Sequence, residues 1–168
     1  MEKNGFIECR DLVKAFGEKT VLQGLNLTVE RGETMVILGS SGSGKTVLLK
    51  HMNGLISPES GEVFVDGLEI SRSEEDDLRE IRKKVAMVFQ GSALFDSLTI
   101  EENIAYPLVE HTTWSPHEIR ARVRELLSLV ELEGSEELYP AEISGGMKKR
   151  AAVARALSLH PEGLLYDE

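Results

Sequence analysis

Gly39-Ser40-Ser41-Gly42-Ser43-Gly44-Lys45-Thr46 meets every fixed position of the phosphate-loop pattern G-x-x-x-x-G-K-[ST]. Its flanks suit that reading. Thr34-Met35-Val36-Ile37-Leu38 before it reads as a short buried strand, and Thr46 to Met52 after it as a helix. A strand, a glycine-rich loop and a helix N-terminus form a cradle for a triphosphate, because successive backbone N–H groups and the helix dipole point at the anion. Lys45 is expected to reach the β- and γ-phosphates, and the Thr46 hydroxyl to bind Mg²⁺. A glycine-rich turn that binds nothing is the alternative, and the Lys-Thr pair with both flanks in place argues against it.

The chain has 168 residues, enough for one domain with a real core. Its formal net charge of −10 argues against binding nucleic acid by phosphate neutralisation. ATP remains compatible, because the loop supplies its own local field. The single cysteine, Cys9, rules out an internal disulfide and reads as a half-buried strand residue. The four histidines (His51, His111, His117, His160) lack metal-ligand spacing and read as surface or helix-end residues. Glu2, Lys3 and Asn4 lead into an alternating pattern, not an apolar leader. No apolar run approaches the ~20 residues of a membrane helix. The chain is expected to be soluble, with a partner holding it at any membrane it serves.

Residues Phe6 to Val13 and Val21 to Val29 alternate as strands, with turns at Gly17 and at Glu30 to Glu33. Asn53-Gly54 reads as the C-cap of the loop helix, and Glu62 to Val65 followed by Asp66-Gly67 as half of a hairpin. Ser73 to Arg82 reads as an exposed helix, and Val85 to Phe89 as a buried parallel strand. Helices dominate beyond Gln90. Thr99 with Glu102 makes a capping box, and Pro107 is expected to end or kink that helix. Ser115-Pro116 starts a second helix with an apolar stripe of Ile119, Val123, Leu126, Leu127 and Val130, closed by Gly134. Ser144 caps a third helix running to about His160. Leu164-Leu165-Tyr166 reads as a last buried strand.

Three further constellations carry chemistry. Asp167-Glu168 ends a strand, where a ligand crevice is expected. Ser144-Gly145-Gly146 opens a helix with two glycines, which bares N–H groups to an anion where a plain cap would need only Ser. Gln90 follows its strand directly and can touch Mg²⁺ and a water without adding charge. Just beyond, Ala93, Leu94, Phe95 and Leu98 form an apolar patch suited to packing or to docking a partner.

Taken together these residues resemble the nucleotide-binding domain of ATP-binding cassette (ABC) transporters. Phe16 matches the aromatic residue that stacks on adenine, Gly39 to Thr46 the Walker A loop, and Gln90 the Q-loop. Ile143 to Met147 match the signature motif, and Leu164 to Glu168 match Walker B with the catalytic glutamate. Met147 stands where the family usually has glutamine, and Phe16 where it has tyrosine. Gly163 weakens the start of the Walker B run.

The resemblance implies an α/β fold of the P-loop NTPase (RecA-like) type, with an N-terminal antiparallel β subdomain and an inserted helical subdomain. Residues 1–168 would form one incomplete cassette. Segments 1–90 and 161–168 would supply the nucleotide-binding core with the β subdomain, and 91–160 the helical subdomain. Two copies would close head to tail over two ATP molecules. Each ATP would lie on Gly39, Ser40, Ser41, Gly42, Ser43, Gly44, Lys45 and Thr46 of one copy, under Ser144, Gly145 and Gly146 of the other. Glu168 would orient or deprotonate water, while Thr46, Gln90 and Asp167 serve Mg²⁺. Lys45 and Gln90 would act beside Glu168 in catalysis. Membrane permease subunits would dock near the Q-loop, placing the chain at the cytoplasmic face of the inner membrane.

Within the family, Phe89 to Leu98, Asn103 to Leu108 and Ser144 to Arg150 are similar to cassettes of the maintenance-of-lipid-asymmetry (Mla) type. That resemblance implies phospholipid transport with an MCE-domain lipid-binding partner. Other cargo, such as amino acids or ions, stays open. A soluble repair or translation protein is disfavoured by the lack of a coiled coil and by the acidic surface. A phosphate-loop kinase would leave Ser144-Gly145-Gly146 without purpose. By the same resemblance a D-loop, a switch histidine and further strands would follow Glu168. The 168 residues alone are therefore expected to bind ATP weakly and turn it over poorly.

Overall fold

The computed structural model describes residues 5–167. They divide into two compact units, with the boundary between Arg82 and Lys83.

The first unit is built on an antiparallel sheet. Strand β1 (Ile7–Phe16) pairs with β2 (Lys19–Val29) on one side and with β3 (Ser60–Val65) on the other. The two-residue β4 (Leu68–Glu69) completes the order β2-β1-β3-β4. The β3–β4 hairpin turns through Asp66 (φ 54°) and Gly67 (φ 77°), the two left-handed positions that a twist-compatible tight turn needs. Helix α1 (Lys45–Met52) packs against β3. Its Leu48, Leu49 and Met52 are buried, as are Leu12, Val63 and Val65 of the sheet. Removing such side chains from water is the main stabilising term, roughly 1.5–3 kcal/mol each. Helix α2 (Glu75–Lys84) buries only Ile81, as its charge pattern predicts.

One expected strand is missing. Residues 34–38 have no strand pairing among the described residues, and Val36 and Leu38 are 72% and 88% exposed. The physical reason is pairing, not composition. A parallel strand is stable only between hydrogen-bonded neighbours, and the antiparallel sheet of this unit offers none to this segment. Cys9 is more buried than expected, lying within the central strand at 2% exposure.

The second unit combines a parallel strand pair with three helices. Strand β5 (Val85–Val88) runs parallel to β6 (Gly163–Tyr166), with Val88 opposite Tyr166. Leu165 is buried, but Leu164 and Tyr166 are 40% and 47% exposed, so β6 is not the fully buried strand its composition suggests. Exposed and buried residues alternate along β6, so within this unit one face of the ladder is covered and the other is not.

Helices α3 (Ile100–His111), α4 (Pro116–Leu129) and α5 (Gly145–Ala156) share one core. It joins Ile100, Ile104 and Leu108 to Val123, Leu126 and Leu127, and to Ala151 and Ala154. The capping box of Thr99 with Glu102 forms as the sequence predicts, and α4 starts at Ser115 with a second box to Glu118. Glu102 N donates to Thr99 Oγ1 at 3.2 Å, and Ser115 N donates to Glu118 Oε2 at 2.7 Å.

Pro107 does not end α3, which continues to His111. Burial of Ile104 and Leu108 on either side carries the helix through, against the ~3 kcal/mol usually charged to an interior proline. Helix α4 stops at Leu129 and not near Gly134, because Glu131 already takes the left-handed conformation at φ 55°. Helix α5 ends at Ala156, short of His160. Beyond it, Arg122 of α4 donates to the carbonyls of Leu157 (2.8 Å) and Ser158 (3.4 Å), satisfying acceptors that the helix leaves open.

Candidate functional site

In the first unit the loop before α1 is shaped by steric demand at its glycines. A Cβ on Gly39 would lie 2.6 Å from Ser43 Oγ. Gly44 has φ +101°, and a Cβ there would come within 2.7 Å of Val21 Cγ1. Gly44 therefore needs glycine for both close approach and its dihedral, while a side chain at Gly39 would make the exposed Ser43 hydroxyl turn away. Gly44 is the N-cap of α1 and carries no side-chain cap, so the helix N-terminus is left for an external acceptor. Lys45 Nζ donates to the carbonyls of Gly39 (3.0 Å) and Ser40 (3.1 Å), which places the cation against the loop. Ser40, Ser41, Gly42 and Ser43 are exposed, and Thr46 is half-buried at the start of the helix.

Phe16 ends β1 and is 53% exposed, and Lys14 Nζ sits 5.5 Å from its ring centroid. That is within the range where a cation is attracted to a ring face.

His51 lies in the last turn of α1 as read, but it is 1% exposed and not at the surface. Its Nδ1 is 2.7 Å from the Val47 carbonyl, so the hydrogen sits on Nδ1, while Nε2 is buried without a partner. Burial holds its pKa below the usual histidine value.

In the second unit, Gln90 and Asp167 come to the same end of the β5–β6 ladder. Asp167 N donates to Val88 O at 3.0 Å, and Gln90 follows Val88 by two residues. Gln90 is exposed, in a turn closed by Ser92 N donating to Phe89 O at 2.9 Å. Asp167 is 6% exposed. Glu168, the expected catalytic glutamate, lies outside the described residues.

Ser144 is the N-cap of α5 and accepts from Met147 N at 3.3 Å. Gly145 and Gly146 form the exposed first turn. A Cβ on Gly145 would meet nothing within 4 Å, and one on Gly146 only Ser144 Oγ at 4.0 Å. Among the described residues nothing requires glycine at either position. Met147 is partly buried against the helical core.

Thr46 in the first unit carries a hydroxyl oxygen, and Gln90 and Asp167 in the second carry amide and carboxylate oxygens, each a hard donor of the kind Mg²⁺ prefers. Among the described residues no three His, Cys, Asp or Glu side chains converge as a metal cluster. An α1 N-terminus without a side-chain cap, behind a glycine at φ +101°, fits a polyphosphate.

Sequence reasoning missed two residues that shape the loop beyond Gln90. Arg155 of α5 donates from Nη1 to Ala93 O (2.7 Å) and from Nη2 to Ser92 O (3.0 Å). Asn103, 0% exposed, donates from Nδ2 to the carbonyls of Phe95, Leu98 and Thr99 and accepts from Phe95 N. An asparagine directly after the capping-box Glu102, inside an apolar helix, was a local signal. Arg155 gave none.

Parallel core strands, an antiparallel sheet and a helical bundle, with a phosphate-loop cradle and a glycine-opened helix, define a nucleotide-binding cassette. The profile of the ABC transporter family matches residues 22–168, and the chain belongs to that family as an ATP-binding domain. It is 46% identical over 162 residues to the Mycobacterium tuberculosis "Probable ribonucleotide transport ATP-binding protein mkl", covering 96% of this chain and 45% of the relative. It is 42% identical over 162 residues to the Haemophilus influenzae "Intermembrane phospholipid transport system ATP-binding protein MlaF", covering 96% and 61%. It is 44% identical over 158 residues to the Mesorhizobium japonicum "Methionine import ATP-binding protein MetN", covering 94% and 43%. The chain thus spans about half the length of these curated relatives.

Among solved structures, the ATP-binding cassette MJ0796 bound to ADP and Pi superimposes with a TM-score of 0.90 at 35% identity, covering 96% of this chain and 73% of that one. No helix among the described residues is long and apolar enough to cross a membrane.

Proposed function

We propose that this chain is the nucleotide-binding part of a transporter ATPase, and that it works as a pair of head-to-tail copies. The carrying observation is the first turn of α5. Gly145 and Gly146 each weaken a helix by up to ~1 kcal/mol relative to alanine, and no neighbour among the described residues demands their lack of a side chain. A surface that stays bare at such a cost is shaped for close approach from outside. The dimeric MJ0796 cassette with bound ADP and Pi supports that reading.

Each residue then has a role that its chemistry can perform. The loop Gly39, Ser40, Ser41, Gly42, Ser43, Gly44 and the N-terminus of α1 present N–H groups to the phosphates. Lys45, held against the carbonyls of Gly39 and Ser40, directs its ammonium to the β- and γ-oxygens and balances their charge. Phe16 offers its exposed ring to the adenine. Thr46, Gln90 and Asp167 would hold Mg²⁺, which would supply neutralisation of the phosphate charge. Glu168 orients water, and Ser144, Gly145 and Gly146 of the second copy close the site. The work is positioning and charge stabilisation, with no covalent intermediate on the protein.

The domain reading stands beside this: one cassette, with 1–90 and 161–168 as core and β subdomain, and 91–160 as helical subdomain. The partners are a second copy and membrane permease subunits, at the cytoplasmic face of the inner membrane. For cargo we favour phospholipid, with an MCE-domain partner, on the similarity to MlaF and on the Mla-like stretches Phe89–Leu98 and Ser144–Arg150. Import of another solute is the second reading, favoured by the comparable identity to MetN.

Sedimentation of the full-length Glu168→Gln protein tests the core proposal. The expected result is a dimer with ATP, a monomer without it, and a monomer under both conditions for Ser144→Arg. A monomer with saturating ATP overturns it. Co-purification of the full-length protein from membranes, with lipid and protein mass spectrometry, decides the cargo. Bound phospholipid with an MCE-domain protein supports the first reading, and a solute-binding protein without lipid supports the second.

A further inference from the structure

Ser92 and Ala93 sit at φ 64° and 49°, two consecutive non-glycine residues in the left-handed region. Each carries a strain cost there, and such residues persist only where surrounding contacts over-determine them. The contacts are clear. Both carbonyls accept from the guanidinium of Arg155, at 3.0 Å and 2.7 Å. The same guanidinium lies 5.9 Å from the centroid of the Phe95 ring. Among the described residues Arg155 pairs with no carboxylate. Its charge is met by two backbone oxygens and a ring face, which makes those hydrogen bonds charge-assisted. Burial pulls its pKa below the ordinary guanidinium value.

Arg155 stands in the last turn of α5, yet it does not serve the end of its own helix. Arg122 does that, through Leu157 and Ser158. Arg155 reaches across to a loop 62 residues earlier in the chain. The far side of that loop is fixed separately by Asn103, through both backbone groups of Phe95 and the carbonyl of Leu98. The loop between β5 and α3 is therefore clamped at two points. The Arg155 point adjoins the turn Phe89–Ser92, whose closing hydrogen bond runs from Ser92 N to Phe89 O. Gln90 and Gly91 are the two central residues of that turn.

We infer that Arg155 is a positioning residue: by holding Ser92 and Ala93 in their left-handed form it fixes the turn that presents Gln90. The inference rests on the role given to Gln90 under the proposed function. It also ties that role to α5 as a rigid body. Gly145 and Arg155 are ten residues apart on one helix, about 15 Å along its axis. A shift of the helix at its glycine end moves the guanidinium, and with it the carbonyls that set the turn. Losing the clamp frees Ser92 and Ala93 to leave the strained region, and Gln90 loses its fixed position while the phosphate loop does not change.

The test is amide hydrogen exchange and steady-state ATP hydrolysis on the full-length protein and its Arg155→Met and Arg155→Lys variants. Arg155→Met should raise exchange across residues 91–96 about tenfold, with protection in α3 and α5 unchanged. Its kcat should fall about tenfold while KM for ATP moves less than about twofold, because the phosphate cradle is intact. Arg155→Lys, which reaches one carbonyl at a time, should lie between. If Arg155→Met does not fold, Arg155→Lys carries the same comparison. Unchanged exchange over 91–96 overturns the clamp, and raised exchange with wild-type kcat overturns the positioning role. Absence of turnover in the wild-type protein defeats the proposed function and, with it, the role of Gln90. A working wild type beside an indifferent variant defeats this inference alone.

Discussion

Lys45 Nζ lies 3.0 Å from the carbonyl oxygen of Gly39, the first residue of its own loop, and donates to it. Cation and loop therefore hold one another before any phosphate arrives, which lowers the ordering cost of binding. Lys45→Met keeps the length of the side chain and removes the charge. Hydrogen bonds to charged groups contribute roughly 1.5–3 kcal/mol, so the loss predicts about 10–100-fold weaker ATP binding. Titration of a fluorescent ATP analogue into the full-length variant measures this. Wild-type affinity would remove Lys45 from the binding site.

Gly44 and Gly145 predict opposite outcomes for one substitution. Gly44→Ala forces a Cβ to 2.7 Å from Val21 Cγ1 at φ +101°, a clash compounded by strain. It should cost about 2–4 kcal/mol and lower the melting temperature visibly. Gly145→Ala meets open space in the first turn of α5, so stability should hold or rise by up to about 0.5–1 kcal/mol. If the second copy closes on that turn, the same variant loses ATP-dependent dimerisation. Thermal melts beside sedimentation separate the two, and a Gly145→Ala protein that is both stable and fully dimerising would contradict the closing role.

The features that were legible in the sequence are those set by nearby atoms. Thr99 with Glu102, and Ser115 with Glu118, each satisfy their own helix N-terminus within one turn, and both boxes form. Asp66-Gly67 makes its tight turn for equally local reasons. Where the reading failed, the deciding partner was distant or missing. Val36 and Leu38 have the composition of a buried strand, but burial depends on neighbours that this unit's sheet does not supply. Pro107 obeys its local rule less than the apolar contacts of Ile104 and Leu108. Arg155 holds Ser92 and Ala93 across a separation that no local pattern encodes.

Cys9 supplies a probe of the first unit. Burial in the central strand pushes its thiol up to about 12, so almost no thiolate exists at neutral or mildly alkaline pH. The folded protein should resist thiol reagents at pH 8, and labelling should follow unfolding of the β1–β2–β3 sheet. The labelling rate as a function of denaturant measures this. Rapid stoichiometric labelling without denaturant would mean that β1 opens readily.

His51 predicts an acid sensitivity whose sign can be worked out. In the folded chain its pKa lies below 6.5, first because burial disfavours the charged ring and further because of Lys14 nearby; the Val47 and Ser57 backbone and Glu59 oppose that only in part. In the unfolded chain it titrates near 6.5. Between the folded value and 6.5 the unfolded state therefore binds more protons than the folded one, and stability rises with pH across that window. Above it the histidine is neutral in both states and contributes no slope. As pH falls from 7 through 6.5 the protein should lose stability progressively, until the folded-state pKa is reached and the loss levels off. His51→Met keeps an apolar side chain of similar volume, removes the titration, and also removes the buried, unpartnered Nε2. The variant should be at least as stable as wild type at pH 7, with a flatter dependence between pH 7 and pH 5. Urea unfolding at several pH values measures both slopes, and parallel slopes for the two proteins would show that His51 is not the group that senses acid.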